Sequence, residues 1–283
     1  MKKAIEHADT LPQKENYLQS VYKVIFYIEQ NYGYELTLEE LASVAGFSKY
    51  HFHRIFKSIT GETLSDYIRR VRLSSTTLKL KTNQKITHIA MNSGYETNAS
   101  FSKAFKKHFG LTPKAFSKNA KTKKGKNVLE PEIIEIKDIE LLYVRATGAY
   151  HQSVEESWNK IIEFASKKNL FGKIKARYGI AHDNPNVIES DKIRYDACIE
   201  TDNVEVEADG EIASKIITGG RYAKFLHRGS YEDLGKAHEA VSNWIIDSAV
   251  VLRDTPVFHK YLDLDPRGVE PELLQTEIYV PIY

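Results

Sequence analysis

Lys49, Tyr50, His53, Arg54 and Lys57 fall on one side of a stretch whose other side carries Phe52, Ile55 and Phe56. A guanidinium and an imidazole can donate to guanine edges, a phenol ring can meet a thymine methyl, and ammonium groups can reach phosphates. A second set, Asn98, Ala99, Ser102, Lys103, Lys106 and Lys107, lies opposite Phe101, Ala104 and Phe105. The chemistry offered twice is contact with a nucleic-acid groove. His51 and His53 offer no metal site, because residues two apart leave a helix on different sides and no Cys or acidic partner stands at ligand spacing. No metal and no cofactor are expected.

These sets recur because the elements that must hold them recur. Leu41, Ala42, Gly46 and Phe47 return 48 positions later as Ile89, Ala90, Gly94 and Tyr95. After a one-residue insertion, Phe52, Phe56, Lys57, Gly61, Thr63 and Tyr67 return as Phe101, Phe105, Lys106, Gly110, Thr112 and Phe116. A short helix, a glycine turn and a second helix, stated twice, predict a tandem helix-turn-helix. Thr37 and Glu40 have capping-box spacing, Gly46 suits a left-handed turn, and Ser48 is placed to start the next helix, which Gly61 ends. Between the copies a helix opened by Thr63 and Asp66 turns Leu64, Ile68, Val71 and Leu78 inward and Arg69, Arg70 and Arg72 largely outward. At 1.5 Å per residue this spacer spans ~25 Å, which suits two reading helices placed about one DNA turn, ~34 Å, apart. Upstream, Leu18, Val21, Ile25 and Ile28 form a helical stripe that should pack on the first copy.

The run LEELASVAGFSKYHFHRIFKSITGETLSDYIRRVRL, followed by ITHIAMNSGYETNASFSKAFKKHFGLTPKAF, resembles the DNA-binding domain of the AraC family of bacterial transcription regulators. Gly94-Tyr95, Phe101, Phe105-Lys106, Phe109-Gly110 and Thr112-Pro113 carry its most specific part. The resemblance implies that Tyr50, His53 and Arg54 read bases in one box and Asn98, Ala99 and Lys103 in the other. Ala99 is too short for hydrogen-bonded readout, so an asymmetric two-box site is expected.

Charge divides the chain. Residues 1–126 hold 22 Lys and Arg against 10 Asp and Glu, a balance of +12, and the remainder holds 18 against 28, a balance of −10. A basic first half suits a polyanion. The length of 283 residues allows about two domains. Cys198 is the single cysteine, which excludes an intramolecular disulfide, and no run of ~18 apolar residues or signal-peptide core appears. A bacterial cytoplasmic protein without membrane contact is expected.

The second half reads as α+β. Strand-like runs occupy Glu132–Ile136, Leu141–Thr147, Asp196–Thr201, Tyr222–His227 and Thr276–Ile282, with helical patterns near Val154–Lys168 and Tyr231–Ser248. A fainter repeat at an offset of 81 aligns Gly148 with Gly229, Tyr150 with Tyr231, Asp196 with Glu277 and Cys198 with Tyr279. Two copies would give a pseudo-twofold domain with a groove between them. Alternation turns Tyr195, Ala197, Ile199, Ile278 and Val280 toward helices and leaves Asp196, Cys198, Glu200, Glu277 and Tyr279 on the other side. With Tyr150 and Tyr231, the candidates for binding a small ligand are therefore Asp196, Cys198, Glu277 and Tyr279, a set suited to an organic cation. Trp158 and Trp244 read as core.

This half resembles the GyrI-like effector-binding domain, in which two repeats enclose a ligand cleft. Reader first and sensor second narrows the resemblance to the right-origin-binding type of AraC-family regulator. The expected layout is a polar arm over 1–16, a double helix-turn-helix domain over 17–118, a basic linker over 119–130 and a GyrI-like domain over 131–283. The expected partners are double-stranded DNA, a small-molecule effector and RNA polymerase. Two alternatives are a GyrI-like hydrolase using Glu277, Tyr150 and Trp158, and a ligand-independent architectural or origin-binding protein.

Overall fold

The computed structural model describes residues 11–122, 129–184, 188–202, 206 and 208–283. Seven helices open the chain: α1 (Leu11–Asn31), α2 (Leu38–Ala45), α3 (Lys49–Thr60), α4 (Leu64–Lys79), α5 (Ile86–Asn92), α6 (Asn98–Phe109) and α7 (Pro113–Thr122). The expected polar arm is thus helical from Leu11, and its first ten residues lie outside the described ones. Helix α7 runs into the expected linker as far as Thr122, and 123–128 likewise lie outside.

Local chemistry sets these boundaries. Thr37 and Glu40 form both bonds of a capping box, and Gly46 ends α2 at φ 73°, where a Cβ would be strained. Thr63 caps α4 by accepting from the Asp66 amide. Ser48 occupies the N-cap of α3 with extended backbone but makes no side-chain cap bond.

Two cores result. Val21, Val24, Ile28, Leu41, Phe52 and Phe56 are sealed in one; Leu73, Ile89, Ala90, Phe101 and Phe105 are sealed in the other. Each buried aromatic contributes roughly 1.5–3 kcal/mol. The paired rings repeat as well, Phe52 to Phe56 at 5.6 Å and Phe101 to Phe105 at 5.5 Å. Helix α4 supplies Leu64, Ile68 and Val71 to the first core and Leu73 to the second, so one rigid element belongs to both.

The spacer's arginines correct the expectation of an outward basic face. Arg69 is exposed, but Arg70 is buried against Glu62 and lies 3.5 Å from Asp183. Arg72 donates to the Tyr32 and Tyr34 carbonyls at 2.8 and 2.7 Å. Its guanidinium fills the space where a Cβ on Gly94 would sit, at 2.7 Å. Arg72 therefore ties the end of α1 to the turn of the second unit.

Past the linker come β1 (Glu132–Ile136), β2 (Ile139–Thr147), α8 (Tyr150–Lys167), β3 (Ile174–Ala181), β4 (Arg194–Thr201), β5 (Ala213–Ile217), β6 (Gly220–Arg228), α9 (Leu234–Asp247), β7 (Phe258–Tyr261) and β8 (Gln275–Pro281). The eight strands form one antiparallel sheet in the order β1-β6-β8-β7-β3-β4-β2-β5. That order reads the same from either edge when β1–β4 are exchanged with β5–β8. The starts of β1 and β5, of β2 and β6, and of β4 and β8 are each 81 residues apart.

Three pairings cross between the halves: β3 with β7 at the centre, and β1 with β6 and β2 with β5, which run on from one another. Register runs from Glu132↔Lys224 to Ile136↔Gly220 and resumes in step from Ile139↔Ile217 to Tyr143↔Ala213. The segments β1–β2 and β5–β6 thus make a single bent ribbon. At its bend a Cβ on Gly219 would lie 2.7 Å from the Ile136 carbonyl oxygen, so the strands cross where only glycine fits. The curl gathers Ile134, Tyr143, Tyr178, Cys198, Ala213, Tyr222, Phe258 and Tyr279 into an inner core.

Both helices lie on the other face. Helix α8 covers Val144, Tyr195, Ala197 and Ile199, and α9 covers Ala223, Phe225, Ile278 and Val280. The apolar alternation is therefore the helix-bearing face, as expected. The central strands β3 and β7 lie between the helices and present Arg177, Gly179, His259 and Tyr261.

The helical half docks on the sheet half through polar contacts. Gln19 donates to the Ile212 carbonyl at 2.6 Å, Tyr32 to Asp254 at 2.7 Å, Ser74 to Asp183 at 2.7 Å and Lys81 to Ser242 of α9 at 2.8 Å. Lys79 also pairs with Asp254. Among the described residues no helix is long and apolar enough to cross a membrane.

Candidate nucleic-acid interface and ligand groove

On α3 the inward side is Phe52, Ile55 and Phe56, and the opposite side is open. Tyr50 is 94% exposed, and His53, Arg54 and Lys57 are exposed beside it. Lys49 is exposed and paired with Glu39. On α6, Asn98, Ala99, Lys103 and Lys106 are exposed and Ser102 is half-buried. Thr97 caps this helix by accepting from the Ser100 amide. Each face thus combines buried aromatic anchors behind with exposed polar side chains in front, the arrangement that lets a helix enter a major groove.

Tyr27 accounts for part of the rigidity, since its hydroxyl donates to Glu40 at 2.6 Å and holds α1 against the capping box of α2. Gly33 sits where a Cβ would meet the Asn92 carbonyl at 2.7 Å, so the ends of α1 and α5 touch backbone to backbone. With Arg72, this fixes one reading helix relative to the other.

The ligand-binding candidates divide. Tyr150 and Tyr231 stand at the starts of the two helix segments and line a cavity of about 1500 Å³ that runs between α8, α9 and the helical half. Burial raises the pKa of both phenols. Asp196, Cys198, Glu277 and Tyr279 do not line it; they project from the other face of the sheet, into or beside the inner core. The expectation placed that face in the open, but the curl of the sheet and helix α1 cover it.

Each of these four candidates is engaged within the fold. Asp196 is fully buried and accepts from Arg145 at 2.6 and 2.9 Å, with Lys215 and His182 against it. Burial would raise its pKa, but Arg145 and then Lys215 hold the carboxyl well below the usual range. The Cys198 thiol is buried and pushed well up by that burial. Glu277 accepts from the Tyr279 hydroxyl at 2.7 Å and lies 3.5 Å from Lys224.

The groove itself is aromatic, with charged residues of both signs along it. Trp158 packs against the core under α8, as expected, and also forms a wall of the groove: its ring lies 5.5 Å from Tyr261 and its Nε1 donates to Tyr195 at 3.3 Å. Tyr231 meets Tyr261 from the α9 side at 5.1 Å. Arg177, 9% exposed, stacks its guanidinium over Trp158 at 4.8 Å and Tyr261 at 5.7 Å. His238 of α9 faces His259 at 2.7 Å, and burial pushes the His238 pKa down to about 4, so one ring donates and one accepts with both neutral. Gly179 leaves room for the Tyr195 and Tyr261 hydroxyls, which share a 2.8 Å bond.

Arg177 and His259 escape a reading based on the 81-residue offset, because β3 and β7 carry no strong strand pattern. The available signal is the unusual string KARYGIA, in which an arginine and a glycine interrupt an otherwise strand-like run.

Residues 129–283 match a family described as a GyrI-like small molecule binding domain, and residues 41–119 match a helix-turn-helix domain. The chain is 37% identical over 97 residues to the Transposon Tn10 TetD protein of Escherichia coli, covering 34% of this chain and 70% of that protein. It is 26% identical over 228 residues to the Right origin-binding protein of Escherichia coli (strain K12), covering 73% of this chain and 77% of that one. The Regulatory protein SoxS of the same strain is 35% identical over 91 residues, 32% of this chain and 85% of that protein.

Proposed function

The chain belongs to the AraC-type regulators that carry a GyrI-like small-molecule-binding domain, and from that premise we propose that it is a sequence-specific DNA-binding transcription regulator whose output is set by a small organic ligand. The observation that carries this reading is the pairing of two exposed polar helix faces, on α3 and α6, with one helix, α4, that belongs to both cores. In this proposal Tyr50, His53 and Arg54, flanked by Lys49 and Lys57, read one box. Asn98, Ala99 and Lys103, with Ser102 and Lys106, occupy the next major groove, mainly through backbone contacts. The site is therefore asymmetric.

The ligand occupies the groove between α8 and α9, with Tyr150, Trp158, Tyr231 and Tyr261 as its walls. Its effect reaches DNA through the docked faces, where α9 touches Lys81 and the sheet touches α1. RNA polymerase is the partner through which bound protein changes transcription. In this reading the protein binds its ligand without transforming it, which the placement of Glu277 on the sheet face opposite Tyr150 and Trp158 supports.

Selection of bound sequences from a random DNA library with the full chain tests the reading. Enrichment of two unequal boxes about one helical turn apart supports it. No enrichment overturns it.

A further inference from the structure

The two helix-turn-helix units can be compared position by position, and one matched pair differs where the sheet half touches it. Tyr67 corresponds to Phe116. Each ring stands behind its own reading helix: Tyr67 meets Phe56 of α3 at 5.4 Å and Phe116 meets Phe105 of α6 at 5.6 Å, both edge to face. The packing is shared and the hydroxyl is the difference.

That hydroxyl is held from outside the helical half. It accepts from Arg145 of β2 at 2.9 Å, and the Arg194 guanidinium of β4 lies 5.6 Å from the Tyr67 ring centre. Arg70, on α4 itself, lies 5.0 Å from the same centre. Both sheet arginines are anchored: Asp196 accepts from Arg145 at 2.6 and 2.9 Å, and Asp183 accepts from Arg194 at 2.8 and 2.9 Å. Two-point pairing fixes a guanidinium in its plane. Tyr67, 2% exposed, is thus seated against two immobilised cations of the sheet half. Phe116 shares an apolar cluster with Ile188, Ile193 and Tyr150 of that half, and apolar contact has no direction.

We propose that Tyr67 is a positioning residue for DNA recognition: through Arg145 the sheet half fixes α4 against α3, and so the placement of Tyr50, His53 and Arg54 in their box. This rests on the reading of α3 and α6 as the two DNA-contacting helices. Its consequence is polarity. Hydrogen bonds to base edges weaken steeply with misalignment, so losing the directional bond at Tyr67 disturbs the first box and spares the second.

The test uses the full chain and three versions of its selected DNA site: intact, first box scrambled and second box scrambled. The box held by α3 is identified by DNA cleavage from an iron chelate attached at Lys57→Cys. Tyr67→Phe keeps the ring, as the matched Phe116 does, and removes only the oxygen. Affinity per active molecule should fall by about three- to tenfold on the intact site and on the site with the second box scrambled. With the first box scrambled, the variant should match the unaltered chain within about twofold. Arg145→Lys keeps a charge for Glu29 and Asp196 but loses reach to Tyr67, and should show the same confinement.

A merely structural role would lower all three affinities alike. Equal losses, no loss, or a loss confined to the second box would overturn the positioning role and leave the two-box reading in place. If the unaltered chain selects no DNA, both readings fall. Arg145→Lys decides the matter where Tyr67→Phe fails to fold.

Discussion

Glu29 of α1 and Arg145 of β2 are joined by a 2.6 Å ion pair that links the helical half to the sheet. The same guanidinium donates to Asp196 at 2.6 and 2.9 Å and to the Tyr67 hydroxyl at 2.9 Å. Lys215 and His182 crowd the two carboxylates from the sheet side. Asp196 thus serves the junction between domains.

Removing one partner of such a buried pair leaves the other uncompensated. Glu29→Gln is expected to cost about 3 kcal/mol of stability, measured by urea unfolding of the full chain. A change below about 0.5 kcal/mol would mean that the junction adds nothing to the fold.

Acid should loosen this junction in two stages. Burial lowers the His182 pKa below its ordinary 6.5, so the unfolded chain takes up a proton first and stability falls as pH drops below that value. Burial would raise the Glu29 pKa, but Arg145, His182 and Lys215 hold it down to about 2. Its contribution is complete above the ordinary 4.5 and is lost as pH falls toward 2. Unfolding free energy measured against pH should decline through both windows, and His182→Gln should flatten the upper one.

Arg54→Ala is expected to cost about 1–3 kcal/mol on the preferred DNA site and to relax its sequence at one position. Lys106→Ala should weaken binding to all sequences alike and lower the salt slope by about 1. Unchanged site preference in Arg54→Ala, measured by competition between DNA sites, would remove that residue from base reading.

Gly46 and Gly94 are matched positions with φ of 73° and 77°, but nothing lies within 4 Å of a Cβ at Gly46, whereas Arg72 blocks one at Gly94. Gly46→Ala should therefore cost only the left-handed strain, about 1 kcal/mol. Gly94→Ala must also displace Arg72 from the Tyr32 and Tyr34 carbonyls, and should cost more in stability and in affinity for a two-box site. Equal costs in thermal unfolding would show that Arg72 is readily moved.

Lys81→Ala breaks the contact from the end of α4 to Ser242 of α9, one turn beyond His238 in the groove. Ligand affinity and DNA affinity, each measured alone, should change little, while the effect of one on the other should shrink from a coupling of about 1–3 kcal/mol. Gel shifts with and without ligand give both quantities, and full coupling in the variant would place the connection elsewhere.

The helical half is legible because its signals are local. Thr37 and Glu40 announce a helix start, Gly46 and Gly94 announce turns, and Phe52 with Phe56 identifies an inward face and hence an outward one. Arg70 and Arg72 escape that logic, since their partners, Asp183 and the Tyr32 carbonyl, are distant in sequence. In the sheet half, alternation identifies which residues meet the helices but not what covers the reverse side. The strands β3, β5 and β7 are passed over: β3 is buried on both faces and broken by Arg177 and Gly179, β7 has four residues, and β5 buries Lys215 where alternation expects an apolar side chain. Without those strands the curl of the sheet cannot be placed, so Asp196, which is fully buried, reads as facing the open.

The bent ribbon at Gly219 has a consequence for how the sheet domain comes into being. Each half of the repeat gives away its own outer strand and borrows the other's, β1 capping β6 and β5 capping β2. A chain severed near residue 210 would yield two fragments with open edges, one where the exchanged outer strand is lost and one at the β3–β7 seam. Pairing residues some 80 apart raises the contact order of the sheet domain, which is expected to slow its folding relative to the helical half.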